Sequence, residues 1–326
     1  MTDYKNTWQP TTTPSMLRYR AKLLANIREF FAERHVLEVE TPLLSQATVT
    51  DPHLHSFQTQ YCLDNSKHPQ TLYLQTSPEF AMKRLLAAGS GPIFQISKAF
   101  RNQGESGRYH NPEFSLLEWY QPGYDDHQLM DEVEVLLKRL FACESAQRFS
   151  YAEIFQRYLK CDPHQLSLKQ IKQRTHRLGL ATKNLGLNTI EDYLNFLMSQ
   201  IIEPQLPKQL VFIYDYPVTL AALAKVRADT TPVAERFEVY LNGIELANGF
   251  HELSDANEQR LRFRNDLSAR AMYGYAEVPV DEYLLAALTQ GLPDCAGVAL
   301  GIDRLLMLLT KASEISTVIS FPIQRS

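Results

Sequence analysis

The segment from Ile93 to Tyr120 constrains the fold more than any other part of this 326-residue chain. Two runs rich in apolar residues, Ile93 to Phe100 and Phe114 to Tyr120, flank a long polar stretch. This pattern predicts two strands joined by a long polar loop. Arg101 directly follows the first strand, and its planar, permanently charged guanidinium can bind a phosphate through two hydrogen bonds.

Three further blocks lie before and after this segment. They are Val39-Glu40-Thr41-Pro42, the stretch 236–253 with the hairpin turn Asn242-Gly243, and Gly-Val-Ala-Leu-Gly-Ile-Asp-Arg-Leu at 297–305. The four blocks resemble motifs 1, 2 and 3 and the substrate-binding strands of class II aminoacyl-tRNA synthetases, specifically of the lysyl-tRNA synthetase kind. Because all four occur in the order of that family, a chance match is improbable.

The resemblance implies the class II synthetase catalytic core, an α+β fold in which helices flank an antiparallel sheet. Helical and strand patterns also intermix without a βαβ rhythm, which favours α+β over a Rossmann fold. We expect a single catalytic domain over residues 1–326. The stretch at about 151–205 carries helical patterns and no chemical motif, and we expect it to be a helical insertion.

The N-terminal part of the core predicts an amphipathic helix. Thr13 followed by Pro14 is typical of a helix start. Apolar residues at helical spacing then continue to about Arg34, at Leu17, Ala21, Leu24, Ile27 and Phe31. In class II synthetases this helix and the following strand form the dimer interface, so the resemblance implies a homodimer. A plain surface helix is the alternative interpretation of the same pattern.

The resemblance also implies an ATP site that contains Mg²⁺. Arg101 and Arg304 match the catalytic arginines, and Glu238 and Glu245 match the glutamates that bind the metal. Carboxylate oxygens suit Mg²⁺, although two glutamates on a hairpin, taken alone, are more often a solvated face. The implied ATP contacts are Arg101, Asn102, Gln103, Asn111, Phe114, Glu245, Leu246, Gly301 and Arg304.

A second group of residues matches the amino-acid pocket of lysyl-tRNA synthetase. The resemblance places Glu252 at the distal ammonium of a diamino acid and Glu79 at the other ammonium, with Glu118 assisting. A desolvated ammonium needs such a carboxylate partner. The implied substrate-binding residues are Ser77, Glu79, Glu118, Tyr120, Asn248, Glu252 and Ala299.

The chain departs from the lysyl-tRNA synthetase pattern at three positions. Gln103 replaces the motif 2 glutamate, so that either Gln103 or Glu105 takes its role, and Ser77 replaces an alanine. Ala299 replaces a motif 3 glycine, and its methyl group would displace the carboxylate end of α-lysine. Overpacking a tight pocket costs about 1–3 kcal/mol.

The absence of a nucleic-acid footprint further narrows the function. The chain has 33 basic and 37 acidic side chains, a formal charge of −4 and a pI near 6.2. A basic balance typical of tRNA binding is therefore missing. The recognisable blocks begin near residue 14, and we expect no anticodon-binding domain. Together with the variant positions, these features resemble the elongation factor P–(R)-β-lysine ligases.

That resemblance implies an ATP-dependent, AMP-forming ligase that activates (R)-β-lysine as an acyl-adenylate. The acceptor would be a lysine of elongation factor P, and no tRNA partner is expected. A lysine–tRNA ligase and a non-catalytic paralogue that binds an effector are the alternatives. The four scattered cysteines and the lack of an N-terminal signal pattern or an apolar membrane span favour a cytoplasmic protein.

Overall fold

The computed structural model describes residues 8–62, 69–103, 107–141, 144–183 and 185–326. The chain forms two compact units. The first unit contains the residues up to Tyr124 together with Ser254–Ser326, and the second unit contains Asp125–Leu253. That the two units together form a single catalytic domain stays a prediction.

The helices and strands follow one another in this order. The first unit begins with α1 (Pro14–Ala32), β1 (Leu37–Glu38), β2 (Leu44–Ser45), β3 (Gln58–Tyr61), β4 (Gln70–Leu74), α2 (Glu79–Ala87), β5 (Ile93–Phe100) and β6 (Glu113–Pro122). The second unit contains α3 (Asp126–Leu140), β7 (Gln147–Ser150), α4 (Tyr151–Leu159), α5 (Leu168–Arg177), α6 (Ile190–Leu197), β8 (Leu210–Pro217), β9 (Val226–Arg227), β10 (Val233–Leu241) and β11 (Ile244–His251). The chain returns to the first unit with α7 (Ala256–Met272), α8 (Glu282–Gly291), β12 (Cys295–Gly301) and α9 (Ile302–Thr310).

Helix α1 begins at the predicted position. The Thr13 hydroxyl caps it by accepting a hydrogen bond from the Met16 amide at 3.2 Å. Leu17, predicted to lie on the apolar face, is 41% exposed. Phe31 stacks on Phe94 of β5 with 4.4 Å between ring centroids, which fixes the helix against the strand. The residues buried by the helix are Leu23, Ile27, Phe30 and Phe31.

The sheet of the first unit is built around the two strands predicted from the sequence. β5 has the predicted bounds, and β6 extends the second predicted strand by one residue at its start and two at its end. β5 and β6 are antiparallel, β12 is antiparallel to β6, and β1 pairs with β5 in parallel. The sheet of this unit is antiparallel, as predicted, except for the parallel pair of β1 with β5. Glu118 lies between Gln95 and Ala299 in this register.

The second unit repeats a mixed arrangement. β10 pairs antiparallel with β8 and β11, whereas β7 pairs with β8 in parallel. Asn242 and Gly243 have φ values of 55° and 74°, as the predicted two-residue hairpin turn requires. A register shift between Val239 and Tyr240 places Tyr240 opposite Glu245 and Glu238 opposite Asn248.

The helices predicted between residues 151 and 205 are present as α4, α5 and α6. They form an apolar core with strand β8 that includes Tyr151, Ile154, Phe155, Leu194, Leu197, Val211 and Ile213. That this segment is an insertion stays a prediction. Helix α8 and the short strands β2, β3, β7 and β9 were not predicted. None of the helices in the described ranges is long and apolar enough to cross a bilayer.

Candidate active site

Arg101 is the first residue after β5, as the strand pattern predicts. Its backbone amide donates to the Pro112 carbonyl at 2.9 Å, which closes the strand pair at the base of the loop. Its guanidinium lies over the Phe114 ring at 5.1 Å from the centroid. The aromatic face thus orients a cation that the sequence analysis predicts to bind a phosphate.

The residues after Arg101 line a cavity of about 380 Å³ in the first unit. The Asn102 amide donates to the His55 carbonyl at 2.6 Å, and the Asn102 side chain accepts from the Gln103 amide at 3.0 Å. Gln103 has a φ of 60°, so the backbone turns sharply here. Glu105, the alternative to Gln103, lies outside the described residues.

The other predicted ATP contacts of the first unit are tied to the loop and to β12. Arg304 lies near the start of α9, and its Nη2 is 2.6 Å from Nε2 of His110. Asn111 is buried; its amide donates to the Glu113 carbonyl at 2.6 Å and accepts from the Ile323 amide at 3.1 Å. Gly301 precedes α9 and lies opposite Leu116.

Three predicted pocket residues form one hydrogen-bonded group around Glu118. Glu118 is 2% exposed and accepts hydrogen bonds from the hydroxyls of Ser77 and Tyr120, each at 2.6 Å. Charge-assisted hydrogen bonds of this kind are stronger than neutral ones and fix the carboxylate in place. Ala299 lies next to Glu118 in the strand register.

Glu79, the predicted ligand of an ammonium group, already binds one. Its Oε1 accepts from Nζ of Lys83 at 2.7 Å, one turn later on helix α2. Lys83 is 1% exposed, so this pair is largely removed from solvent. The Ser77 hydroxyl also accepts from the Glu79 amide at 3.1 Å and thereby caps the start of the helix.

An ion pair that the sequence analysis missed connects helix α1 to two of the recognised blocks. Asp303 accepts from Nη1 of Arg20 at 2.6 Å and from the Ser115 amide at 2.7 Å. Nη2 of Arg20 also donates to the Ser115 hydroxyl at 2.7 Å. The only signal in the sequence was an acidic residue, Asp303, at the start of an apolar helix. Asp303 is buried in the structure and therefore needs a partner.

In the second unit, Glu238 is held by its own strand. Nη2 of Arg236 donates to Oε1 of Glu238 at 2.5 Å, and the Tyr240 hydroxyl donates to Oε2. Burial, and then the charge of Glu238, raises the pKa of the Tyr216 and Tyr240 hydroxyls well above their ordinary value, so both remain protonated.

Arg236 links Glu238 to a predicted substrate contact. Its Nε donates to Oδ1 of Asn248 at 3.2 Å, and its Nη1 donates to the Leu220 carbonyl at 2.7 Å. Asn248, predicted to contact the amino acid, is thus joined to the predicted metal ligand Glu238 through one guanidinium. The sequence analysis assigns no role to Arg236, the first residue of the block 236–253.

The remaining predicted residues of the second unit lie on or beside β11. Glu245 faces Tyr240 across the hairpin, and Leu246 is 2% exposed, so its side chain packs into the core. Glu252 is 2% exposed and forms a backbone bridge with Ala224. Glu238 and Glu245 have the oxygen donors that Mg²⁺ prefers, and each oxygen of Glu238 already accepts a hydrogen bond.

Comparison with known proteins identifies the family of this chain. The family model "tRNA synthetases class II (D, K and N)" matches residues 5–325. A Pectobacterium atrosepticum protein named elongation factor P–(R)-β-lysine ligase is 50% identical over 320 residues, which cover 98% of each chain. Proteins of the same name from Vibrio cholerae and Photobacterium profundum are 51% and 50% identical and cover 98% and 97% of this chain, and 98% of their own. The chain therefore belongs to the class II tRNA synthetases of the D, K and N group.

Proposed function

We propose that this chain is an ATP-dependent ligase that joins (R)-β-lysine to a lysine side chain of elongation factor P. The observation that carries the proposal is the identity of about one residue in two, from end to end, with three proteins of that name. The similarity extends over nearly the whole of each chain rather than over a shared fold segment alone.

The first step forms an acyl-adenylate. A carboxylate oxygen of the amino acid attacks the α-phosphorus of ATP, a P–O bond forms, and pyrophosphate leaves. Arg101 would bind the α-phosphate through its fork of donors, held in orientation by the Phe114 ring. Arg304, next to His110, is the proposed partner of the nucleotide's other phosphates.

Glu238 and Glu245 are the proposed ligands of Mg²⁺, which would neutralise charge on the phosphates when bound. Arg236 has two anchors besides Glu238, the Leu220 carbonyl and Asn248. It can therefore keep its position while Glu238 turns an oxygen toward a metal.

The second step transfers the acyl group. The ε-amine of the acceptor lysine attacks the acyl carbon, an isopeptide bond forms, AMP leaves, and the amine releases a proton. The predicted site residues that the structure describes include no evident nucleophile, and the proposal includes no covalent enzyme intermediate. The enzyme is proposed to act as a cytoplasmic homodimer without tRNA. The free thiols of Cys62, Cys161 and Cys295 agree with a reducing compartment.

The amino-acid selectivity is proposed to depend on the group around Glu118. Ser77 and Tyr120 fix this carboxylate, and the Ala299 methyl lies beside it in the register. Ala299→Gly should shift the ratio of kcat/KM for β-lysine over α-lysine toward α-lysine by about 5- to 100-fold, as expected for relief of ~1–3 kcal/mol of overpacking. An unchanged ratio would place selectivity elsewhere, and Ala296→Gly in the same strand serves as the control.

An acceptor competition assay tests the proposed function. Labelled (R)-β-lysine, ATP and Mg²⁺ are incubated with elongation factor P and bulk tRNA together, and Arg101→Ala enzyme is the control. We expect label on one lysine of elongation factor P, located by mass spectrometry, and negligible label on tRNA. Label mainly at the 3′ end of tRNA would instead identify a lysine–tRNA ligase. Failure to form adenylate in pyrophosphate exchange would identify a non-catalytic paralogue.

A further inference from the structure

A buried group of metal-ligating side chains lies in the second unit, separate from the residues assigned to ATP and amino acid. It consists of Asp126 at the start of α3, Glu235 on β10 and His251 on β11. One ligand atom from each lies within 4.8 Å of the other two. The three residues are 1%, 9% and 6% exposed. Nothing in the reaction proposed above uses them.

The strand register explains why these side chains meet. Arg236 pairs with Phe250, so the next pair along the hairpin is Glu235 and His251. Nδ1 of His251 is 2.8 Å from Oε2 of Glu235. Asp126 approaches the pair from the first turn of α3, where Asp125 caps the helix by accepting from the Gln128 amide at 2.7 Å.

Asp126 itself provides an independent indication of a ligand. Its Oδ2 is buried and has no hydrogen-bond donor within the described part of the chain. A buried carboxylate oxygen in that condition is costly, because it has lost its water and gained no partner. Burial, followed by the charges of Glu235, Asp215 and Asp125, raises the pKa of Asp126 despite an opposing effect of His127.

The surrounding charges leave the group acidic. Arg227 is shared among three carboxylates. Its Nη2 binds Asp215 at 2.9 Å, its Nε binds Asp229 at 2.9 Å, and its Nη1 is 3.4 Å from Oε1 of Glu235. One guanidinium is thus shared by three carboxylates, and Asp126 is a fourth acidic group beside them. Lys225 adds a favourable charge near Glu235, which still leaves acidic groups in excess of basic ones around Asp126.

From this geometry we infer that Asp126, Glu235 and His251 form a binding site for a divalent transition metal, with Zn²⁺ as the best match. One imidazole nitrogen and two carboxylate oxygens are ligands that Zn²⁺ accepts, at bond lengths of about 2.0–2.2 Å. Ligand atoms around a tetrahedral ion would be about 3.4 Å apart. His251 Nδ1 and Glu235 Oε2, now 2.8 Å apart, would therefore separate slightly, and Asp126 is within reach of both. The bound metal would join α3 to the β10–β11 hairpin and so serve a structural role.

Metal stoichiometry of the full-length protein tests the inference. Wild-type protein is exposed to Zn²⁺, passed through a desalting column and analysed by mass spectrometry of the metal. We expect about one tightly bound Zn²⁺ per chain, and at least a tenfold weaker affinity in Asp126→Asn and His251→Gln. His164→Gln changes a half-buried histidine of the same unit that is outside the group, and it should keep the metal. Circular dichroism establishes that each variant is folded.

The zinc stoichiometry of the wild-type protein can overturn the inference independently of the results with the variants. A stoichiometry near zero would mean that Asp126 is protonated and shares its proton within the group. Metal retained by Asp126→Asn and His251→Gln but lost from Glu238→Gln would assign the ion to the proposed Mg²⁺ site instead. Visible absorption of Co²⁺-loaded protein should reveal low-symmetry nitrogen and oxygen ligation, and a spectrum unchanged by His251→Gln would also contradict the site.

Discussion

Each unit holds a carboxylate against an arginine, and the two pairs are built in different ways. In the first unit, Asp303 is 2% exposed and binds Arg20 and Ser115, which are 283 and 188 residues away. In the second unit, Glu238 is half-buried and accepts hydrogen bonds from Arg236 and Tyr240 of its own strand. The Asp303 pair therefore depends on the fold and supports it, whereas the Glu238 pair can change partners locally. We expect the first to affect stability and the second to affect catalysis.

The largest effect is expected from a residue that acts on substrate. Arg101→Ala should reduce ATP–pyrophosphate exchange by at least ~10²-fold, because loss of one transition-state donor costs about 2.7–4 kcal/mol. Its thermal stability should stay close to wild type. Arg28→Ala, which removes an exposed arginine paired with Glu38, is the matched control. Near-normal exchange in Arg101→Ala would refute the assignment of the phosphate-binding arginine.

Asp303→Asn should produce the largest loss of stability. Removing one charge of a buried pair costs about 3–5 kcal/mol, and we expect the lower end because the Arg20 side chain keeps 19% exposure. The denaturant midpoint measures this loss. Glu38→Gln breaks the exposed pair with Arg28 and should cost no more than ~1 kcal/mol. Equal losses in the two variants would remove the distinction between long-range and exposed pairs.

Asp266 offers a carboxylate of the first unit that is held by a hydroxyl. Thr50 donates to its Oδ2 at 2.6 Å, while burial raises the pKa of Asp266 from 3.8 to about 6. The folded protein then binds more protons than the unfolded chain between these values, so stability falls as the pH rises from about 4 to about 6. At ~1.4 kcal/mol per pKa unit the upper bound is about 3 kcal/mol, and half-burial should leave about half.

Measurement of the unfolding free energy across this pH range tests the expectation. Asp266→Asn is neutral throughout, so it should lack this decline and exceed wild type in stability near pH 7. Thr50→Val removes a hydrogen bond that lowers the pKa of Asp266, and it should move the decline to higher pH. A decline of the same size in Asp266→Asn would show that other groups produce it.

Glu238→Gln should separate catalysis from stability. The amide keeps an oxygen for Arg236, so the unfolding free energy should fall by only about 1–2 kcal/mol, as for a weakened hydrogen bond to a charge. Pyrophosphate exchange should fall at least ~10-fold, the lower end of typical losses around metal ligands. Excess Mg²⁺ should restore part of it. If Glu238→Gln lost as much stability as Asp303→Asn but kept normal pyrophosphate exchange, the roles assigned to the two pairs would be contradicted.

Much of the fold could be predicted because local patterns determine it. β5 has the predicted bounds, and α1 begins where Thr13 and Pro14 indicate. The Asn242-Gly243 turn adopts the positive φ values that its residues favour. Helix α8 was not predicted, although Asp281 before it is a residue typical of a helix start and caps it.

The partners of the site residues could not be predicted. The sequence named Glu79, Glu118 and Glu238 as carboxylates for substrate or metal, but not the donors Lys83, Ser77 or Arg236 that bind them. Lys83 and Arg236 lie four and two residues from their partners, whereas the Ser77–Glu118 contact spans 41 residues and requires the fold. The shift between Val239 and Tyr240 also changes which residues of β11 face Glu238. A register shift of this kind leaves little trace in the periodicity of the sequence.

The sequence by itself determined the family, the order of the blocks and the residue types available to the site. These features depend on residue identity and on short-range spacing, which a linear chain already contains. Only the tertiary structure decided that Arg20 neutralises Asp303 and that Asp126, Glu235 and His251 meet. The physical reason is that buried charges must be compensated by groups the fold brings together, and proximity in space has no fixed relation to separation along the chain.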